Sequence, residues 1–228
     1  MSTPQRPVTA MILAAGRGER MRPLTDITPK PLLRVHGQTL IERNVVRLAG
    51  AGVRRIVINL SWLGGQISNY LGDGARYGTA IVYSDESSGA LETAGGIFRA
   101  LPLLSPGPFI VVNGDVYSDF PYETLALDAD RDAHLVMVRN PSYLKGDFGI
   151  ERGEAHATAA ELHTFSGIGV YRPAFFAGCV DGKFPLKPLM LRAMAAGRCS
   201  AELFEGMWAE VGTPERLAQL NSEPPPKI

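Results

Sequence analysis

The chain has 228 residues, with 23 basic and 23 acidic side chains and no net charge at pH 7. This length accommodates one α/β domain with a full hydrophobic core, and the charge balance argues against nucleic acid or an anionic membrane as a partner. No apolar run approaches the roughly 18 residues of a membrane span, and positions 1–7 lack the apolar region of a signal peptide, so we expect a cytoplasmic protein.

The first half of the chain alternates between short apolar strands and helices. We predict strands at 8–13, 55–59, 80–84 and 108–113. Helices are predicted after the capping box at 39–42, over 63–71 and over 93–101. Strands that are short, wholly apolar runs between helices are typical of a parallel sheet that is covered on both faces.

After residue 115 this alternation ends, and strands are predicted at 135–139, 148–151 and 165–171 with a helix at 188–196. The sequence therefore predicts an α/β fold with a Rossmann-like, mostly parallel mixed sheet flanked by helices. One domain is expected over 1–221, with nucleotide contacts in about 8–115, sugar contacts in about 116–221, and a flexible proline-rich tail at 222–228. The two cysteines, Cys179 and Cys199, match no metal or redox spacing, so we expect free thiols in a reducing cytosol.

The segment at 13–33, LAAGRGERMRPLTDITPKPLL, directly follows the first strand. It contains two glycines, Gly16 and Gly18, and four cations, Arg17, Arg20, Arg22 and Lys30. A glycine turn after a buried strand lets backbone N–H groups approach an anion, and cations nearby neutralise its charge. The dinucleotide fingerprint needs glycine where Met21 stands, and the Walker A loop needs Lys-Ser/Thr after Gly18, so neither applies. The segment predicts a polyphosphate site of another kind.

The pattern L-A-A-G-x-G-x-R-x-x-P-L-T-x-x-x-P-K-P-L resembles the signature of the sugar-1-phosphate nucleotidyltransferases, which join a nucleoside monophosphate to a sugar phosphate and release pyrophosphate. The resemblance implies this family's fold with a small sugar-binding lid region. It also implies that Arg20 and Lys30 are catalytic residues that hold the phosphates of the nucleotide. Lys30 is also expected to bind the phosphate of the sugar. The implied nucleotide-binding loop comprises Ala14, Ala15, Gly16, Gly18, Glu19 and Arg20.

Two carboxylates are candidates for a metal site. Asp115 follows the apolar strand at 108–113, and ligands of open α/β sheets bind at the carboxyl ends of strands. In the resembled family this aspartate binds the catalytic Mg²⁺, which implies that Asp115 is a metal ligand. The family's second aspartate is replaced here by Glu210, whose side chain is one methylene longer; we expect it to be the other ligand. The alternative is a surface carboxylate before a helix with Thr213 at its N-cap.

Other candidates lie in segments that the resemblance places beside the base or the sugar. Thr93 and Gly95 are expected to contact the nucleotide, although Thr93 could equally be an ordinary helix N-cap. Asn113, Asp147 and Ser166 are expected to contact the sugar phosphate or sugar. Many relatives carry a Glu-Lys-Pro lysine for the sugar phosphate, and its absence here disfavours the hexose-1-phosphate thymidylyltransferase branch.

The short chain, with L-E-T-x-G-G-I, N-G-D, G-D-F and T-F-S-G-I, is similar over about residues 8–220 to the bacterial N-acetylmuramate α-1-phosphate uridylyltransferases. This resemblance implies UTP and a sugar 1-phosphate as substrates, Mg²⁺ as cofactor and a role in cell-wall recycling, by a monomer or small homo-oligomer. Two alternatives stay open. One is a mannose-1-phosphate guanylyltransferase or another hexose-1-phosphate nucleotidyltransferase; the other is a non-catalytic regulatory protein that binds nucleotide sugars.

Overall fold

The protein forms a nine-stranded mixed sheet with helices on both faces in a computed structural model that describes residues 3–87, 89, 91–142 and 145–224. The strands are β1 (Thr9–Leu13), β2 (Arg34–Val35), β3 (Gln38–Thr39), β4 (Arg55–Leu60), β5 (Ala80–Asp85), β6 (Phe109–Asn113), β7 (Val116–Ser118), β8 (Ala133–Val138), β9 (Gly149–Glu151), β10 (Glu154–His156), β11 (Thr164–Tyr171), β12 (Cys199–Phe204) and β13 (Trp208–Glu210). The helices are α1 (Leu24–Ile27), α2 (Leu40–Gly50), α3 (Gly64–Leu71), α4 (Glu92–Ala100), α5 (Lys187–Ala195) and α6 (Pro214–Ser222).

The strand order is β5-β4-β1-β6-β11-β8-β12-β10-β9, and the first four strands are parallel. Neighbouring residues of one strand fill opposite cores: Ile12 packs with α2 and α3, whereas Met11 packs with α4 and α5. Both faces are buried, which explains why these strands are continuous apolar runs. The predicted Rossmann-like α/β fold is confirmed.

Local signals fixed the helix ends well in most cases. Thr39 caps α2 by accepting a hydrogen bond from the Glu42 N–H at 3.2 Å, as the capping box predicts. Helix α4 differs, because it begins at Glu92 and no side chain caps it. The alternative reading of Thr93 as an N-cap is therefore wrong. Glu92 itself has a left-handed φ of 59°, a conformation that is strained for residues other than glycine.

The second half contains strands that the sequence did not reveal. The predicted strands at 135–139, 148–151 and 165–171 correspond to β8, β9 and β11, but β7, β10, β12 and β13 were missed. These four are short or contain polar residues, as in β12, so they lack the apolar signal of the first half. Helix α6 ends at Ser222, the first position of the predicted tail; positions 225–228 lie outside the described residues, and the flexible tail stays a prediction. The lid stays a prediction.

The parallel pairing brings three strand ends to one edge of the sheet. Leu13 lies beside Asn59 on one side and beside Asn113 on the other. Strand β11 runs antiparallel to β6 and brings Gly167 against the Asn113 side chain. In the described part of the chain, no helix is both long enough and apolar enough to cross a membrane.

Both cysteines are free thiols, and their environments differ. Cys199 is only 1% exposed, and burial raises the pKa of its thiol to about 12. Because the thiolate is the reactive form, we expect a thiol reagent at pH 8 to label Cys179 in the folded protein and Cys199 only after unfolding in urea. Mass spectrometry of the labelled peptides measures this, with Cys179→Ser as the control. Fast labelling of Cys199 in the folded protein would contradict the packing.

Candidate active site

A cavity of about 510 Å³ opens at the edge of the sheet where β1, β4 and β6 end. Its wall combines the glycine loop, the strand ends, the start of α4 and the turn after β13. The lining residues are Leu13, Ala14, Ala15, Gly16, Gly18, Glu19, Arg20, Lys30, Pro31, Asn59, Glu86, Glu92, Thr93, Asn113, Gly114, Asp115 and Gly212. Most of the predicted site residues are therefore brought together.

The glycine loop folds back on the segment that follows it. Gly18 has a left-handed φ of 68°, and a Cβ there would lie 3.1 Å from both Lys30 Cβ and Thr25 Cγ2. The Thr25 hydroxyl donates to the Gly18 carbonyl at 2.8 Å and fixes this turn. Glycine is needed at position 18 for both its φ and its close approach. The turn places the Lys30 side chain on the cavity wall.

Two ion pairs join the predicted phosphate-binding cations to the predicted metal-binding carboxylates. Lys30 Nζ donates to Asp115 Oδ2, and these side chains are only 12% and 21% exposed. Arg20 Nη2 donates to Glu210 Oε1 at 3.1 Å; the Arg20 side chain is 66% exposed. Each cation therefore has its charge balanced on the cavity wall.

The two carboxylates are held by neighbouring backbone segments. Strand β13 pairs with β7 so that Glu210 lies opposite Val116, and the Val211 N–H donates to the Asp115 carbonyl at 2.9 Å. Mg²⁺ typically takes one or two protein carboxylates and completes its shell with phosphate oxygens and water. Asp115 and Glu210 fit that pattern. The described residues contain no group of three or more His, Cys, Asp and Glu that could hold a metal alone.

A buried polar link crosses the cavity wall and was missed by sequence reasoning. Asn59 accepts from the Ala14 N–H through Oδ1 at 2.7 Å and donates through Nδ2 to Glu86 Oε1 at 2.8 Å. Glu86 Oε2 accepts from the Leu91 N–H at 3.4 Å. Both side chains are nearly inaccessible, so the link fixes the glycine loop relative to the start of α4. The available signal was a polar residue at or just beyond the end of a strand in each case.

Gly95 lies outside the cavity, unlike Thr93, which lines it. The Gly95 N–H donates to the Phe184 carbonyl at 3.1 Å, and a Cβ at position 95 would lie 2.2 Å from the Gly182 carbonyl oxygen. The structure thus gives Gly95 a packing role on the side of α4 that faces 182–184.

Ser166 and Asp147 do not line the cavity either. The Ser166 hydroxyl donates to the Val136 carbonyl at 2.7 Å and accepts from the Ile168 N–H at 3.1 Å, at the point where the β11–β8 register shifts. Both hydrogen bonds of this buried hydroxyl are therefore made to the backbone of the sheet. Asp147 Oδ2 accepts from the Phe165 N–H at 3.1 Å, and its side chain stays partly exposed at the same sheet edge as the cavity.

The Asn59–Glu86 link generates a stability prediction. Glu86→Ala leaves the buried Asn59 amide donor unpaired and should lower the free energy of unfolding by about 1–3 kcal/mol. Asn59→Ala also leaves the buried Glu86 carboxylate with one donor fewer and should cost about 3 kcal/mol. The double variant should lose at least about 1 kcal/mol less than the sum of the single variants.

Urea unfolding followed by circular dichroism measures these values, with the exposed Gln219→Ala as a control expected within about 0.5 kcal/mol of the parent. Additive losses in the double variant would show that the two side chains are not coupled.

A family model described as nucleotidyl transferase matches residues 9–163. An N-acetylmuramate alpha-1-phosphate uridylyltransferase of Neisseria meningitidis serogroup B is 48% identical, covering 93% of this chain and 96% of the relative. One from Caulobacter vibrioides is 35% identical, covering 96% and 97%. The solved inositol-1-phosphate CTP transferase of T. maritima superposes with a TM-score of 0.77 over 96% of this chain and 97% of that one; at 18% identity this likeness shows the fold alone.

Proposed function

The chain belongs to the nucleotidyl transferase family, and we propose that it transfers the uridylyl group of UTP to N-acetylmuramic acid α-1-phosphate, giving UDP-N-acetylmuramate and pyrophosphate. The observation that carries this proposal is one cavity lined by Arg20, Lys30 and Asp115, with Glu210 beside it in an ion pair with Arg20. The choice of base and sugar is supported by the names of the two relatives that match nearly the whole chain.

The proposed reaction is a direct in-line transfer. An oxygen of the sugar 1-phosphate attacks the α-phosphorus of UTP, forming the new P–O bond, and the bond from the α-phosphorus to the bridging oxygen of pyrophosphate breaks on the opposite side. A phosphate monoester is already anionic at pH 7, so its oxygen needs no general base. The described residues that line the cavity accordingly include no histidine.

Arg20 and Lys30 counter the negative charge that crowds around the α-phosphorus. Preorganised donors of this kind contribute about 3 kcal/mol each when they face charge that develops in the transition state. Lys30 is largely buried, so its ammonium acts where solvent screening is weak. We assign Lys30 to the α-phosphate and the sugar phosphate, and Arg20 to the departing pyrophosphate. Asn113, Ala14, Ala15, Gly16 and Gly18 line the same cavity.

Asp115 and Glu210 are the residues that we propose to hold Mg²⁺. When bound, the ion would neutralise phosphate charge and help to orient the triphosphate. In the structure these carboxylates are paired with Lys30 and Arg20. When the carboxylates bind a cation and the two basic side chains bind phosphates, each of these four side chains exchanges one oppositely charged partner for another. No charged side chain is then left without a partner.

The assignment of Arg20 predicts a kinetic effect. Arg20→Ala should lower kcat by about 10²–10³-fold and change the Kd of UTP much less, because the lost contact is made mainly in the transition state. Arg22→Ala is the matched control, because Arg22 lies in the same loop, pairs with Asp26 and does not line the cavity. Steady-state pyrophosphate release and calorimetric UTP binding give the two quantities. Near-normal turnover of Arg20→Ala would refute its role.

The proposed activity is tested by pyrophosphate release with four nucleoside triphosphates and several sugar 1-phosphates in the presence of Mg²⁺. We expect UTP with N-acetylmuramic acid α-1-phosphate to give the highest kcat/KM. Preference for GTP with mannose 1-phosphate would instead support a guanylyltransferase. Tight nucleotide binding without turnover of any pair would favour the regulatory protein. The proposed product is a cell-wall precursor, so we also propose a cytoplasmic role in peptidoglycan recycling.

A further inference from the structure

The segment at 182–187, which we call the rim segment, is fixed against the start of α4. The Phe184 N–H donates to the Leu91 carbonyl and the Gly95 N–H donates to the Phe184 carbonyl, each at 3.1 Å. The Gly182 carbonyl oxygen occupies the space that a Cβ at Gly95 would need. The backbone of the rim segment is therefore held beside Glu92, which lines the cavity.

Two lysines of the rim segment do not line the cavity themselves but lie beside carboxylates of neighbouring segments. Lys183 Nζ lies 3.8 Å from Glu92 Oε1, on the side of α4. Lys187 Nζ lies 3.6 Å from Asp147 Oδ1 and 5.3 Å from the centre of the Phe148 ring. The two lysine side chains are 64% and 59% exposed. At these long distances the ion pairs are weak, and each ammonium retains donors for another anion.

Lys187 is linked to the cavity from the side where the sugar is expected. Its partner Asp147 accepts from the Phe165 N–H, and two residues further along β11 Gly167 packs against the Asn113 side chain. Asn113 lines the cavity next to Asp115. A sugar whose phosphate lies near Asn113 would thus extend from that phosphate toward Asp147 and the rim segment.

N-acetylmuramic acid differs from N-acetylglucosamine by a lactyl ether on O3, which carries a carboxylate. Arg20 and Lys30 face Glu210 and Asp115 and are assigned to phosphates, so this additional anion needs other cations. We propose that Lys183 and Lys187 bind the lactyl carboxylate and thereby select N-acetylmuramate over uncharged sugars. This inference rests on the proposed function and adds to it the residues that determine the sugar.

The strained backbone at Glu92 agrees with this assignment. A non-glycine residue at φ 59° persists only where the surrounding structure enforces it, and such residues cluster at functional sites. Glu92 lines the cavity and its carboxylate lies 3.8 Å from Lys183 Nζ, so a side chain is present at a position where glycine would avoid the strain. In this account Glu92 is a positioning residue and does not contact the lactyl group.

The test compares two substrates that differ only in the lactyl ether. Lys183→Gln and Lys187→Gln should each lower kcat/KM for N-acetylmuramic acid α-1-phosphate by about 10-fold, mainly through KM, and the double variant by about 100-fold. The kcat/KM for N-acetylglucosamine α-1-phosphate should change less than 2-fold, because this sugar has no lactyl carboxylate with which the lysines could pair. Lys→Arg variants should retain most of the preference because they keep the charge.

Calorimetric binding of UDP-N-acetylmuramate and UDP-N-acetylglucosamine makes the same comparison without turnover. Arg198→Gln is the control for loss of one exposed cation, because Arg198 pairs with Asp132 at the opposite edge of the sheet. Equal losses on both sugars, or no loss on either, would overturn the inference. Wild-type protein that cannot use N-acetylmuramic acid α-1-phosphate would instead refute the proposed function itself.

Discussion

Pairing of opposite charges across one edge of the sheet is the constraint on which the site depends. Arg20 and Lys30 lie on the same cavity wall, where two unpaired cations would repel each other. Glu210 and Asp115 balance them; Glu210 lies on β13, which pairs with β7, and Asp115 directly precedes β7. The chain as a whole has no net charge, so this basic cluster is a local feature, and two of its cations have acidic partners. The same pairing explains how two cations and two carboxylates can lie so close together.

The arrangement suits the transfer of a nucleotidyl group between phosphates better than chemistry that needs proton transfer. Its polar groups are fixed donors and carboxylates, held by the Gly18 turn and by the Asn59–Glu86 link, so little reorganisation is needed when charge develops. Glu210 departs from the aspartate of the resembled family, yet it reaches Arg20 at 3.1 Å from β13. The longer side chain therefore keeps the charge pairing of the wall intact.

Local sequence signals predicted the part of the site that local structure builds. The glycine loop, its cations and Asp115 were identified because each follows an apolar strand, and parallel strands place such residues at one edge. The Asn59–Glu86 link and the rim segment were not predicted, because they depend on contacts between residues far apart in the sequence. Gly95 and Ser166 show a different limit of the sequence, because a small residue in a binding motif can equally serve backbone packing or a sheet irregularity, and the structure gives them these roles.

The most direct measurement is a crystal structure of the protein with a non-hydrolysable UTP analogue and Mn²⁺, with the ion located by its anomalous scattering. We predict one Mn²⁺ peak within ligand distance of the Asp115 and Glu210 carboxylates. The triphosphate should lie against residues 14–18, with its oxygens in contact with Arg20 and Lys30. A triphosphate bound away from these two side chains, or an ion held by neither carboxylate, would contradict this prediction.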